Sequence, residues 1–515
     1  MAKLQELRPP FQTGVIDIGA HAVRLDIYEV DRQWKFELLE TLSRPLNLGI
    51  DVFRNGFVSV DNMDKLIAIA SDYLSKLNEY NAVVSRVIAT SAIREAFNKE
   101  LIIDRFRDCG MKLEILEGTN EATLTFLAVR DALSDKPVSE IADSLMLILG
   151  TGSLFVIGIS GNRMRYCEEI PTGTLRTSDT SGSSIPPLEQ LKEQLRSQHI
   201  MRRIEENFPA SPDKNINLVI IGNSARKLAS LAGYAPKNKT DFVEIPQKSL
   251  IKTLENCEVN PKKLFRDPAG EDGAEVLAAA VIVKHFFEQL PFKKVLCPGV
   301  TTRSAVIADW IRHFRTPDVE PFRHDLATVC SAIGKKYGFD APHAASVAAA
   351  SSRLFEKLRH YFSFPEHSAL LLEAASYLHD IGRFVDTRQH HRHSWYLVSN
   401  TQLPGITASE HRIVAAMARY HGKTMPRETH AEYAALSQEE RLAVLKLSAI
   451  LRVADALDSR RNGELSDFKP VLRARTLKLV TNAVDINSEK YNLKQKGALF
   501  EQVFGLELKL ENNDL

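Results

Sequence analysis

The chain has few cysteines, no charge surplus and no unbroken apolar run, and each lack removes a class of protein. Cys109, Cys167, Cys257, Cys297 and Cys330 lie far apart among 515 residues, with no CxxC pair. That spacing excludes a disulfide scaffold and a cysteine zinc site, and it suits a reducing compartment. The formal net charge is +1, so no basic surplus argues for nucleic acid or lipid headgroups. The most apolar window, LMLILGTGSLFVIGI (Leu145–Ile159), is too short to span a bilayer and is broken by GTGS. The opening MAKLQELRPPF lacks the apolar core of a secretory signal. Together these lacks lead to the expectation of a soluble cytoplasmic protein with no membrane or nucleic-acid partner.

What is present is ordinary globular material: 44% apolar residues, in a length that suits roughly three or four domains. Two stretches resemble each other. GVIDIGAHAVRLDIYEV (Gly14–Val30) and Leu145–Ile159 each read as a strand, a glycine turn and a second strand. Helical patterns follow the first unit at Asp61–Leu77 and Lys99–Asp108, with a strand at Val84–Thr90 between them. After the second unit come a strand at Asn217–Gly222, a helix at Glu275–Gln289 and a last strand and turn at Lys294–Val300. The repeat predicts two α/β lobes facing a cleft, residues 1–135 and 136–309, with TSDTSGSSIPP (Thr177–Pro187) as a surface loop. From residue 310 the pattern turns to helix after helix, and ten of the fifteen histidines lie between His343 and His430. Alternating strands return near Leu472, so 310–465 reads as a helical domain and 466–515 as a small α/β tail.

The glycine turns suggest phosphate chemistry, because glycine lets backbone N–H groups approach an anion closely. Gly19, Gly150, Thr151 and Gly152 are candidates for such a cradle, with a hydroxyl from Ser153. Asp17 is a candidate ligand for a divalent cation, and Arg94 in TSAIREAFN for a bidentate phosphate contact. Glu121, in EGTNEATLTFLAV, is placed to orient or deprotonate a water. Spacing alone leaves a plainer alternative open, in which Glu121 favours a helix start, Arg94 is a surface cation and the glycines only turn hairpins.

Taken together, VIDIGAHAVRLDIYEV, ATSAIREAFN, EILEGTNEATLTFLAV, LILGTGSLFVIGI and HHRHSWYLVSNTQLPGITASEH resemble the exopolyphosphatase/guanosine pentaphosphate phosphohydrolase family of the actin-like phosphotransferase superfamily. The resemblance covers essentially the whole chain. It implies two actin-like (ribonuclease H-like) lobes, a catalytic Glu121, a phosphate-binding Arg94, Mg²⁺ as cofactor and a homodimer. The family's first loop reads D-hydrophobic-G-S-N-S, whereas here Ala20, His21 and Ala22 follow Gly19. Its second loop reads D-I-G-G-G-S-x-E, whereas here Ile148 and Phe155 replace both carboxylates. Losing one electrostatic donor costs on the order of 10²–10³ in rate, so a cleft that binds phosphate but hydrolyses it slowly is expected. His21 reads either as a replacement phosphate partner or as a loop residue that fills space.

The helical region carries a second candidate. His379 and Asp380 are adjacent at a helix end, His343 opens the helix Ala344–Leu358, and Asp455 borders an apolar stripe. His343, His379, Asp380 and Asp455 form a nitrogen–oxygen set for a divalent or transition metal, with His393 and His421 available for a second ion. This order resembles the H…HD…D pattern of the HD phosphohydrolase superfamily and implies an all-α HD-type domain. The alternative is a vestigial fold that keeps His379 and Asp380 as capping and core residues. His390 and His391 read as surface residues. Three functions are therefore in play: hydrolysis of polyphosphate or a guanosine polyphosphate in the N-terminal cleft, nucleotide phosphate hydrolysis at the HD site with the lobes as a sensor, and non-catalytic regulation.

Overall fold

A computed structural model describes residues 7–132, 143–174, 188–197, 199–207, 216–236, 241–259, 272–315, 322–464, 467–483 and 485–512. The loop expected at Thr177–Pro187 lies outside the described residues. The chain divides into two compact units, 1–319 and 320–515. Among the described residues no helix is long and apolar enough to cross a membrane.

The first unit is built on two sheets of one topology. In the first, β1 (Phe11–Ile18), β2 (Ala22–Val30), β3 (Phe36–Pro45), β4 (Val83–Ala89) and β5 (Leu113–Ile115) run in the order β3-β2-β1-β4-β5. The second contains β6 (Asp143–Leu149), β7 (Leu154–Ser160), β8 (Arg163–Ile170), β9 (Ile216–Ile221), β10 (Phe242–Ile245) and β11 (Phe292–Pro298). Its order from one edge, β8-β7-β6-β9-β11, repeats the first sheet, and β10 adds an antiparallel edge. In both sheets the first three strands form an antiparallel meander and the next two are parallel to the first. The duplication read from the two hairpins thus extends to whole sheets.

The first sheet is covered on both faces, as its parallel pairing requires. Ile16, Ile18, Val23 and Leu25 pack against helix Val60–Glu79 and its neighbours. Val15, Tyr28 and Ile88, on the other face, pack against Val306, Ile307, Trp310 and Ile311. Those last four belong to helix Thr302–Arg315, so this helix completes the first sheet. The sequence boundary at 309 had placed its opening turns with the second lobe.

The second unit is helical, with one three-stranded sheet of β12 (Lys469–Arg473), β13 (Thr476–Thr481) and β14 (Glu507–Asn512). Helix Ala341–Leu358 begins earlier than its sequence pattern suggests, because Asp340 caps it by accepting the His343 N–H and Pro342 suits a first turn. Helices Ala408–Tyr420 and Gln438–Leu457 both open with capping boxes, Thr407 with Glu410 and Ser437 with Glu440. The tail expected as a separate domain packs on helix Gln438–Leu457 and belongs to the same compact unit.

Candidate functional site

In the first unit the two glycine turns close in the same way. The Gly19 N–H donates to the Ala22 carbonyl at 3.1 Å, and the Gly150 N–H donates to the Ser153 carbonyl at 3.0 Å. Two of the four amides expected to cradle phosphate, those of Gly19 and Gly150, are therefore engaged in their own turns. The Ala20 and His21 carbonyls accept from Gly49 and Leu46 at 2.7 and 3.0 Å, which fixes the AHA segment against the start of helix Leu48–Asn55. The other turn packs closely: a Cβ on Gly152 would collide with Ser91 and Phe53, and one on Gly173 would collide with the Thr151 carbonyl. This close approach explains the glycines without a ligand.

Asp17 is held by a buried network. Arg303, near the start of helix Thr302–Arg315, meets Asp17 Oδ2 and Asp26 Oδ2, each at 3.0 Å. Tyr28 and Thr41 hydroxyls donate to the two oxygens of Asp26 at 2.9 and 2.8 Å. Burial works against the Arg303 charge, but Asp26 and Asp17 outweigh it and raise its pKa. Asp17 thus carries a fixed arginine where a metal ligand was expected.

Glu121 lies in the first turn of helix Gly118–Ala132. Its residue surface is partly exposed, yet its carboxyl is desolvated, and this pushes its pKa up to about 7. Arg94 opposes the rise, while Asp17 and Glu169 add to it. The Thr302 hydroxyl reaches Oε1 at a long 3.4 Å. Arg94 donates from Nη1 to the Leu116 carbonyl at 2.8 Å and from Nη2 to Glu169 Oε1 at 2.5 Å. The Ser153 hydroxyl donates to the same Glu169 oxygen at 2.7 Å.

Glu169 and Arg303 did not emerge from sequence motifs. Strand register would have located Glu169. Ile148 stands opposite Phe155, and Phe155 stands opposite Glu169, so the three form one row across β6, β7 and β8 on one face. β7 and β8 pack against the helix that carries Glu121. The two apolar replacements and this carboxylate therefore share a row.

In the second unit four histidines converge. His343, His379 and His421 are almost fully buried, and His390 is partly buried. In each, Nδ1 is within hydrogen-bond distance of an oxygen: Asp458 at 2.7 Å, Ser376 at 2.8 Å, Ala418 at 2.8 Å and Thr387 at 3.1 Å, respectively. Carbonyl oxygens can only accept, so Nδ1 carries the proton in His379, His421 and His390, leaving Nε2 as a lone-pair donor. His390 Nε2 and His421 Nε2 lie 3.2 and 3.4 Å from Asp380 Oδ1, and His343 Nε2 lies 3.5 Å from Asp455 Oδ1.

Three overlapping groups have ligand atoms within 4.8 Å of one another: His343, His379 and Asp380; His379, His421 and Asp455; and Asp380, His390 and His421. Among the described residues such groups occur only here, and none includes Asp17, Glu121 or Glu169. His393 is absent from them and His390 takes its place, which corrects both sequence readings. The helix begins at His390, so its first side chain faces the cluster.

The cluster fits a divalent metal. His343 Nε2 and His379 Nε2 are buried with no hydrogen-bond partner, an arrangement that is costly for a polar atom without a ligand. Burial lowers the His379 pKa to about 4, which keeps that ring neutral at pH 7. His343 behaves differently: burial lowers its pKa, but Asp455 and Asp458 overcome this and hold it near 9. Cations lie at the outer edge. Arg383 and Arg461 contact Asp380, and Lys496 contacts Asp455. In the cleft, by contrast, Asp17 and Glu169 hold arginines and Ile148 and Phe155 offer no donor, so the residues there do not fit a resident Mg²⁺.

The Ppx/GppA phosphatase family model matches residues 27–314, and a second model, Ppx/GppA phosphatase, domain III, matches 327–514. A guanosine-5'-triphosphate,3'-diphosphate pyrophosphatase of Photobacterium profundum is 20% identical over 455 residues, 87% of this chain and 86% of that protein. Its counterpart in Vibrio vulnificus is 21% identical over 462 residues, 87% of each chain. Among solved structures, an exopolyphosphatase from Cytophaga hutchinsonii aligns with a TM-score of 0.51 at 18% identity, covering 58% of this chain and 97% of that one. At that identity the likeness concerns the fold, and it extends to the paired actin-like sheets.

Proposed function

Because this chain belongs to the Ppx/GppA phosphatase family, we propose that it is a phosphohydrolase that cleaves phosphoanhydride bonds of polyphosphate or a guanosine polyphosphate in the cleft of its first unit. One observation carries the assignment to the cleft: Glu121 has a carboxyl held near neutral pKa, where a general base works best at physiological pH. In this reading Arg94 and Ser153 bind the terminal phosphate from two sides of the cleft. Glu121 orients a water and takes its proton as oxygen attacks the terminal phosphorus, and the shortened chain leaves with the bridging oxygen and the electron pair of the broken P–O bond. Arg303 holds Asp17 and Asp26 rigid beneath the first turn. The reading includes a cytoplasmic homodimer.

A specific observation supports a second reading. Four imidazoles and two carboxylates converge in the second unit, two of them through buried, unpartnered nitrogens. We read residues 320–515 as an HD-type domain whose His343, His379, Asp380, His390, His421 and Asp455 hold one or two divalent ions. A metal bound there would polarise a phosphoryl oxygen and acidify a water. Arg383, Arg461 and Lys496 would neutralise the anion beside it.

Phosphate release from polyphosphate and from guanosine pentaphosphate, measured for wild type, Glu121→Gln and Asp380→Ala, separates the two. The cleft reading expects Glu121→Gln to lose at least about 100-fold in rate and Asp380→Ala to retain most activity. Full activity in Glu121→Gln with loss in Asp380→Ala would move the reaction to the histidine cluster.

A further inference from the structure

We propose that the Glu169 carboxylate is an internal stand-in for substrate phosphate, and that a polyphosphorylated ligand binds by displacing it from Arg94 and Ser153. The inference rests on the cleft reading above, and it concerns how that cleft selects its ligand. Arg94 from the first lobe and Ser153 from the second converge on one oxygen, Glu169 Oε1, at 2.5 and 2.7 Å. A guanidinium and a hydroxyl meeting on one anionic oxygen is the arrangement a phosphate oxygen would receive. The other oxygen, Oε2, presses against Gly118 at the start of the Glu121 helix, where any Cβ would collide with it. The carboxylate therefore reaches as far into the cleft as a backbone without a side chain allows.

Its origin on β8 gives it room to leave. Glu169 is the outermost and only charged member of the row Ile148–Phe155–Glu169. Its side chain remains 22% exposed, against 12% for Arg94, so it has a path to solvent. Ile148 and Phe155 cannot recapture the two donors once it moves. Displacement also sets a threshold. A terminal phosphate brings a charge of roughly −1.5 to −2 on three oxygens, whereas a carboxylate brings one charge on two. A polyphosphorylated ligand therefore outcompetes Glu169, and a weakly charged anion does not. Glu169 is in this sense a specificity-determining residue.

The test is calorimetric binding of inorganic tripolyphosphate, and of orthophosphate for comparison, to wild type, Glu169→Gln and Glu169→Ala. Thermal unfolding would confirm that each variant is folded. Removing the internal charge should tighten tripolyphosphate binding on the order of tenfold in both variants and should narrow the preference for tripolyphosphate over orthophosphate. Equal or weaker binding in the variants would show that Glu169 positions Arg94 and would overturn the proposal, as would absence of binding in all three proteins. Binding is read without turnover, so the result is independent of the Glu121→Gln assay. Tighter binding in Glu169→Gln together with full activity in Glu121→Gln would leave the displacement intact and move hydrolysis elsewhere.

Discussion

Glu121 shows how one residue's chemistry is set by what surrounds it. Desolvation first, then Asp17 and Glu169, hold its pKa near 7 against Arg94. As a base it must be ionised, so phosphate release should rise with pH through about 7, and a pH–rate profile checks this. The stability linkage runs the other way. The folded pKa lies above the unfolded one, so the contribution is fully present below the unfolded value and is lost as pH rises through about 7. Glu121→Gln should therefore gain stability relative to wild type across that window, as denaturant titrations at pH 4 and pH 8 would report. At the histidine cluster, His343 is protonated up to about pH 9 and must lose that proton to ligate. Metal binding should release close to one proton per chain at pH 7 and strengthen as pH rises, readable by calorimetry in buffers of different ionisation enthalpy. The sequence singled out Glu121, Arg94 and five of the six side chains that converge in the second unit, because motif order and helix ends mark them. It chose His393 and placed His390 at the surface, whereas His390 joins the cluster; the two lie within one turn, and the choice depends on where the helix starts. Glu169 was hidden for a related reason: its partners Arg94 and Ser153 lie on a short helix and in the turn between β6 and β7, and only the folded chain brings them together.

At the scale of elements, the glycine hairpins and several of the longer helices were readable from periodicity, and Lys99–Asp108 spans the same residues in sequence and structure. Their hydrogen-bonding purpose was not. A D-x-G turn looks like an anion cradle, but whether its amide faces a ligand or closes the turn depends on the next strand's carbonyl. Here Ala22 and Ser153 supply that carbonyl. The GTG turn makes a sharper prediction. A methyl group at Gly152 has nowhere to go but into Ser91 and Phe53, so Gly152→Ala should destabilise the first unit by about 1–3 kcal/mol. It should also weaken phosphate release by shifting Ser153. Gly233→Ala, with open space around its Cβ but a positive φ of 89°, is the control: it strains backbone alone and should leave cleft chemistry unchanged.

At the scale of the whole molecule, each compact unit has a core of its own, as separately cooperative domains do. Calorimetric unfolding should resolve two transitions. A divalent metal at 100 times its dissociation constant should stabilise only the C-terminal unit, by about 2.7 kcal/mol, and Asp380→Ala should abolish that shift. The sequence located the change of character near residue 310, because histidine and helix density both jump there. It could not reveal that helix Thr302–Arg315 returns to the first sheet, since an apolar helix face does not name its partner. That return governs how the chain is made. The strands that hold Asp17 and Asp26 leave the ribosome early, but Arg303 and the apolar face of its helix follow only after the whole second sheet has been synthesised. At ~5–20 residues per second the interval is on the order of tens of seconds, during which two carboxylates wait without their cation and one face of a sheet stands open. The first lobe to be synthesised is thus among the last parts of its unit to be finished, and a nascent chain stalled before residue 302 is the form most in need of a chaperone.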